Sequence, residues 1–171
     1  MTRQDFSTTP GRAWIFGDNV STDLIFPGRY VHLLSNMPEL VAHTLEDARA
    51  DYAGNVKPGD YVVAGENFGM GSSREQAPVI IKLSGARAVL AKSFARIFFR
   101  NAINIGLAAI EVDTTGIKEG DALTIDLEGG RLIDHTSGIE RRFEPLPPIM
   151  TEILADGGLV EHIKKHGDFN L

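Results

Sequence analysis

Between Tyr61 and Val112 the chain alternates twice between short apolar runs and stretches of helical spacing, and that order restricts the fold more than any other feature. Tyr61-Val62-Val63-Ala64, Ala88-Val89-Leu90-Ala91 and Leu107-Ala108-Ala109-Ile110-Glu111-Val112 each have the length and apolar content of a buried strand. Between the first two, Ala77, Ile80, Ile81 and Ser84 fall on one face of a helix, and Gly85 stands where a left-handed carboxyl-terminal cap is expected. Between the second and third, Ser93 is placed to cap a helix whose core face carries Phe94, Ile97, Phe98 and Ala102, with Gly106 past its end. Strand, helix, strand, helix, strand predicts an α/β core.

The flanks add to this core. Ala13-Trp14-Ile15-Phe16 reads as a strand closed by the turn formers Gly17-Asp18-Asn19. Leu24-Ile25-Phe26 is a further apolar segment, stopped by Pro27 and Gly28, and residues 38–52 carry Leu, Val and Ala at the spacing of a helix. Beyond Asp121 the period changes to two: residues 122–127 and 131–133 predict a β-hairpin turning at Gly129-Gly130, with a short strand near residues 139–143. Prolines 145, 147 and 148 lead into a last helical segment, with Ile149, Ile153, Leu154, Val160 and Ile163 as its apolar positions and a break at Gly157-Gly158. One domain over residues 1–171 is expected, with a carboxyl-terminal helical extension from about residue 147.

Composition excludes several classes of function. The 171 residues carry a net charge of −6 with Lys and Arg scattered, which argues against a nucleic-acid partner. No apolar run approaches the ~20 residues that span a bilayer, and residues 1–11 are polar, so no membrane role and a cytoplasmic location are expected. There is no cysteine, which removes disulfides, thiolate catalysis and any cysteine-ligated zinc or iron–sulfur centre built from this chain alone. His162 and His166 stand four apart on the last helix; without a carboxylate framework they read as surface residues, and no metal is assigned to the chain.

Chemistry concentrates in the loop after the Tyr61 strand, Gly65-Glu66-Asn67-Phe68-Gly69-Met70-Gly71-Ser72-Ser73-Arg74-Glu75. Arg74 stands where the dinucleotide fingerprint needs its third glycine, and no lysine precedes Ser72 as a phosphate-binding P-loop requires. The spacing Ser72-Ser73-Arg74-Glu75 fits a capping box opening a helix, with Glu75 reaching back. Two readings of the loop follow. In the plainer one, Ser72 and Glu75 only cap and Arg74 is solvated. In the other, the helix start and the Arg74 fork bind a carboxylate, and a serine beside them becomes a base because its alkoxide is stabilised. The flanking glycines, which let a ligand approach bare backbone, favour the second.

At these residues the chain resembles the aconitase superfamily. Residues 65–77, residues 92–107, and Gly17-Asp18-Asn19-Val20-Ser21-Thr22-Asp23 followed by Ile25 and Pro27 occur in the order of its swivel domain. Length and tail are most similar to the free-standing small subunits of 3-isopropylmalate dehydratases. The resemblance implies a swivelling β/β/α fold with added antiparallel strands and a carboxyl-terminal helix. It implies a hydro-lyase of leucine biosynthesis, isomerising 2- and 3-isopropylmalate by dehydration and rehydration. It also implies a large-subunit partner, in a heterodimer or heterotetramer, whose [4Fe–4S] cluster acts as Lewis acid, with no cofactor on this chain.

Carried over by position, Ser72 matches the base, Arg74 the carboxylate clamp, Ser73 a hydroxyl that helps hold substrate, and Asp23 the aspartate that orients the arginine and serine. Tyr30-Val31-His32-Leu33 matches the loop that meets the variable substrate group, and the arginine found there in homoaconitase-type chains is missing. With Val31 and Leu33 around the site an apolar substituent fits best, although a protonated His32 can pair with a carboxylate. Met70, which replaces a frequent cysteine, is expected to alter packing only, and Arg96 and Arg100 read as a solvated face. Two alternatives stand beside this reading: the small subunit of a homoaconitase-like or 2,3-dimethylmalate dehydratase, and a carboxylate-binding module without catalysis.

Overall fold

The computed structural model of the chain describes residues 9–167. The reading of residues 1–11 as free of a signal or anchor falls for the most part outside that range, as do the last four residues of the carboxyl-terminal extension.

The three apolar runs form β2 (Tyr61–Val63), β3 (Ala88–Ala91) and β4 (Ala108–Glu111), which pair in parallel. Parallel neighbours need crossovers, and α4 (Gln76–Leu83) and α5 (Arg96–Asn104) supply them. β1 (Gly11–Ile15) joins β2 in parallel through Ala13 opposite Tyr61. Its other edge takes β5 (Ala122–Asp126) in antiparallel register, Gly11 opposite Leu123. β6 (Arg131–Asp134) and β7 (Ile139–Arg142) complete a seven-stranded sheet in the order β4-β3-β2-β1-β5-β6-β7. The architecture is the α/β core with added antiparallel strands.

Side-chain alternation along the parallel strands divides the core. Val62, Val89 and Ala91 face a cluster with Trp14, Tyr52, Phe68, Ile80 and Phe98. Tyr61, Val63, Leu90 and Ile110 face the other side, against Leu123 and Leu132 and against Ile153 and Leu154 of α6 (Pro148–Asp156). The joint between the parallel and antiparallel halves is polar but satisfied. The Asp60 carboxylate is buried and accepts from Trp14 Nε1 at 2.9 Å, the Arg12 amide at 3.1 Å and the Lys57 amide at 2.9 Å.

Several local expectations give way to tertiary structure. Residues 38–52 do not form one helix: α2 (Met37–Val41) ends early, Leu45 turns left-handed at φ 57° to reach the core, and α3 (Tyr52–Asn55) is a single turn. Ser93 does not cap α5; its Oγ accepts from the Asn67 amide at 2.8 Å, and extended Ala95 precedes the helix without a side-chain cap. Ile97, Val160 and Ile163 are exposed rather than core. The tail is two helices, α6 and α7 (Leu159–His166), parted at left-handed Gly157. His162 is buried, not a surface residue, because Asp156 supplies the carboxylate missing from the sequence reading.

Candidate active site

The loop after β2 is fixed before it reaches the serines. Asn67 is left-handed at φ 58°, Phe68 is buried and bridges to Phe94, and the Gly69 amide donates to the Val20 carbonyl at 2.7 Å. A Cβ on Gly69 would lie 2.2 Å from the Phe98 ring, so only glycine lets the loop settle on α5 at φ 80°. The Thr22 amide then donates to the Met70 carbonyl at 2.8 Å, which joins the loop to the one-turn helix α1 (Thr22–Ile25). Ser21 caps that turn by accepting from the Leu24 amide.

The capping box does not form. Helix α4 begins at Gln76 behind Glu75, which makes no side-chain cap bond, and Ser72, Ser73 and Arg74 lie in a turn ahead of it, where the Arg74 amide donates to the Ser72 carbonyl at 2.9 Å. Both hydroxyls are therefore released from capping, and both serines are exposed.

Successive residues of α1 hold the two ends of this tripeptide. Buried Thr22 sets its Oγ1 3.1 Å from Ser72 Oγ and 3.0 Å from the Ser72 carbonyl, to which it donates. Asp23 is exposed and meets Arg74 Nη2 at 2.7 Å through Oδ1, while Nη1 of the same guanidinium donates to the Phe26 carbonyl at 2.6 Å. The guanidinium also lies over the Phe26 ring at 5.6 Å and against Gly28, where a Cβ would stand 3.2 Å from Nη2. The sequence-predicted Ser72, Arg74 and Asp23 are thus brought together, with Ser73 exposed beside them. Thr22 was missed; its signal was its place in the quoted Ser21-Thr22-Asp23 motif, where a second hydroxyl precedes the aspartate.

The loop expected to meet the variable group is a 3-10 segment, Gly28–Leu33, that starts against Arg74. Its four predicted residues separate. Leu33 is 8% exposed and turns into the core, contrary to its expected place around the site, whereas Val31 is 50% exposed. His32 is exposed, its Nδ1 2.9 Å from the Arg29 carbonyl. Tyr30 stacks on His43 at 3.8 Å and donates through its hydroxyl to Glu46 at 2.7 Å. Arg29 does not reach for solvent alone: it forks onto Asp47 at 2.8 and 2.6 Å and reaches Glu46 at 2.8 Å. Hydrogen bonds from His43, Tyr30 and Arg29, working against partial burial, hold the Glu46 carboxyl down at about 2. A groove of about 350 Å³ lined by Pro10, Arg12, Lys57 and Asp60 lies at the amino ends of β1 and β2, the opposite end from Ser72.

The site is an open shelf of hydroxyls and one clamped cation. No cysteine occurs in the chain, so these residues do not fit a [4Fe–4S] cluster, and none of its chemistry is assigned to them.

Residues 30–115 match the aconitase C-terminal domain family. The chain is 57% identical over 161 residues to 3-isopropylmalate dehydratase small subunit 2 of Archaeoglobus fulgidus, covering 94% of this chain and 98% of that one. It is 53% identical over 157 residues to the methanogen homoaconitase small subunit of Methanothermobacter thermautotrophicus, covering 91% and 90%. The crystal structure of a 3-isopropylmalate dehydratase from Methanocaldococcus jannaschii superposes with a TM-score of 0.88 at 46% identity, over 93% of this chain and 95% of that one. With likeness of this depth over nearly its whole length, the chain belongs to the aconitase C-terminal domain family and sits among the small subunits of 3-isopropylmalate dehydratases.

Proposed function

We propose that the chain is the small subunit of a hydro-lyase that interconverts 2- and 3-isopropylmalate in leucine biosynthesis, with Ser72 as base and Arg74 as the substrate-carboxylate clamp. One observation carries the assignment of roles: the Ser72 hydroxyl and the Arg74 guanidinium share an exposed shelf that Thr22 and Asp23 hold from a single turn of helix.

The chemistry follows from that placement. Arg74 spends one N–H on Phe26 and one on Asp23, which leaves three of its five donors for a substrate carboxylate. Ser72, as alkoxide, takes the proton from the carbon beside that carboxylate. The C–H pair becomes the new double bond as hydroxide departs from the adjacent carbon, and rehydration at the other carbon returns the proton. Thr22 Oγ1 lies within reach of both the Ser72 carbonyl and Oγ, so its proton can turn from the first to the second and stabilise the alkoxide. Ser73 adds a hydroxyl to the substrate. The hydroxide half of the reaction belongs to a large subunit carrying the [4Fe–4S] cluster, in a cytoplasmic heterodimer or heterotetramer. Among the described residues no helix is long and apolar enough to cross a membrane.

The isopropyl group fits the segment that begins against Arg74. Val31 offers exposed apolar surface, and Arg29 is already matched by Asp47 and Glu46, so His32 is the remaining basic side chain of that segment for a third carboxylate. Anaerobic co-expression with the large subunit, followed by assays on 2-isopropylmalate, homoaconitate and 2,3-dimethylmalate, tests the reading. Preferred turnover of isopropylmalate is expected, and His32→Arg is expected to shift preference toward homoaconitate. Preference for another acid would replace the substrate, and dicarboxylate binding without turnover of any would make the chain a binding module.

A further inference from the structure

The two tail histidines that this reaction does not use converge on one carboxylate. Asp156 is the last residue of α6, and its Oδ2 lies 2.7 Å from His162 Nδ1 and 2.9 Å from His166 Nε2, both on α7. The three ligand atoms are within 4.8 Å of one another. The Asp156 and His162 side chains are only 6% and 2% exposed, whereas His166 is 34% exposed and opens the group to solvent.

The elbow that sets this geometry is braced from outside the two helices. Lys82 donates to the carbonyls of Ile105 at 2.7 Å and Gly157 at 3.1 Å, tying the α6–α7 turn to the end of α5. The turn comes so close to that end that a Cβ on Gly106 would stand 2.4 Å from the Gly157 carbonyl oxygen. Asp156 also ends a nine-residue helix, where the macrodipole favours a cation.

We propose that Asp156, His162 and His166 form a structural site for a divalent transition ion, with zinc the best match. Two imidazoles four apart on one helix and one carboxylate are a borderline donor set that zinc takes in tetrahedral geometry, with water as fourth ligand. Tetrahedral bonds of ~2.0–2.1 Å set ligand atoms about 3.3 Å apart. Loading therefore needs the carboxylate and each imidazole to part by roughly 0.5 Å, and the two imidazole nitrogens, within 4.8 Å of each other, to settle at the same spacing. The Lys165 ammonium is the competitor: it lies 2.5 Å from Asp156 Oδ1 on a largely exposed side chain, and an arriving dication repels it into solvent. The ion would clamp α7 to α6, at a site separate in sequence and element from the Ser72 shelf.

Co(II) titration of the chelator-treated full chain, with zinc competition, tests this. One equivalent of Co(II) with the intense visible absorption of tetrahedral coordination is expected, displaced by zinc. His166→Ala should weaken binding by more than about 100-fold, the upper end of what losing an outer-shell partner alone costs. Lys165→Ala should strengthen it several-fold by removing the competing charge. Weak octahedral Co(II) spectra, or affinity that neither variant changes, would overturn the site.

Discussion

The Ser72 shelf and the Asp156 cluster are made from similar parts and arrive at opposite states. Each sets side chains from two short elements around a glycine-bearing turn, and each places a carboxylate against cations. On the shelf the serines and Asp23 are open and Arg74 is partly so, and what lies beneath them, Thr22 and the Phe26 carbonyl, is buried or backbone. In the cluster the carboxylate and one imidazole are closed in, with partners for both carboxylate oxygens. An open group of this kind is suited to a ligand or partner, whereas the more enclosed one joins two helices of the same chain. Replacements on the shelf should therefore cost catalysis and spare stability, and replacements in the cluster should do the reverse.

The largest separation is expected from Ser72→Ala in the assembled enzyme. Turnover should fall by on the order of 10²–10⁴-fold, as for loss of a general base, with subunit assembly and melting temperature unchanged. Equal turnover would remove the base role and with it the catalytic half of the contrast. Asp156→Ala should leave turnover near wild type but lower unfolding free energy by about 2–3 kcal/mol in denaturant titrations, since it strips a nearly buried histidine of a charge-assisted bond.

Thr22→Val sharpens the boundary, because Thr22 is buried yet serves the shelf. A near-isosteric loss of one hydroxyl should lower kcat about tenfold, the effect of losing one hydrogen bond of ~1.4 kcal/mol to the alkoxide that Ser72 must form. A rise in KM or a loss of stability alone would make Thr22 structural. The smallest effect is expected at Glu46, which steadies the 28–33 segment. Folding lowers its pKa from 4.5 to about 2, so its contribution is complete above pH 4.5 and is lost as pH falls toward 2. Wild type and Glu46→Gln should differ by less than about 1 kcal/mol at neutral pH, and the difference should vanish toward pH 2 in thermal melts.

What could be read from the sequence follows the range of the forces involved. β2, β3 and β4 were legible because a wholly apolar run of four residues has few other uses, and the hairpin because its period is two. The meeting of Ser72, Arg74 and Asp23 came from the family motifs. The capping box misled because its spacing is local, while the turn at residues 72–74 is set by bonds from Thr22, about 50 positions away. Leu33 and Val31 looked alike in sequence, and only the 3-10 phase of their segment sends one inward. The tail histidines misled likewise, because their carboxylate lies across the Gly157-Gly158 elbow.

The place of β1 has a consequence for how the chain is made. Among the described residues it is the first strand in chain order, yet it ends in the middle of the sheet, and its antiparallel neighbour begins about 110 residues later, from Gly11 to Leu123. At roughly 5–20 residues per second, that edge stays unpaired for about 5–20 s after β1 is synthesised. Throughout that interval the nascent chain offers a half-finished sheet to any other strand nearby. Trp14, the chain's single tryptophan, sits in that strand and would report by its fluorescence when the edge is closed.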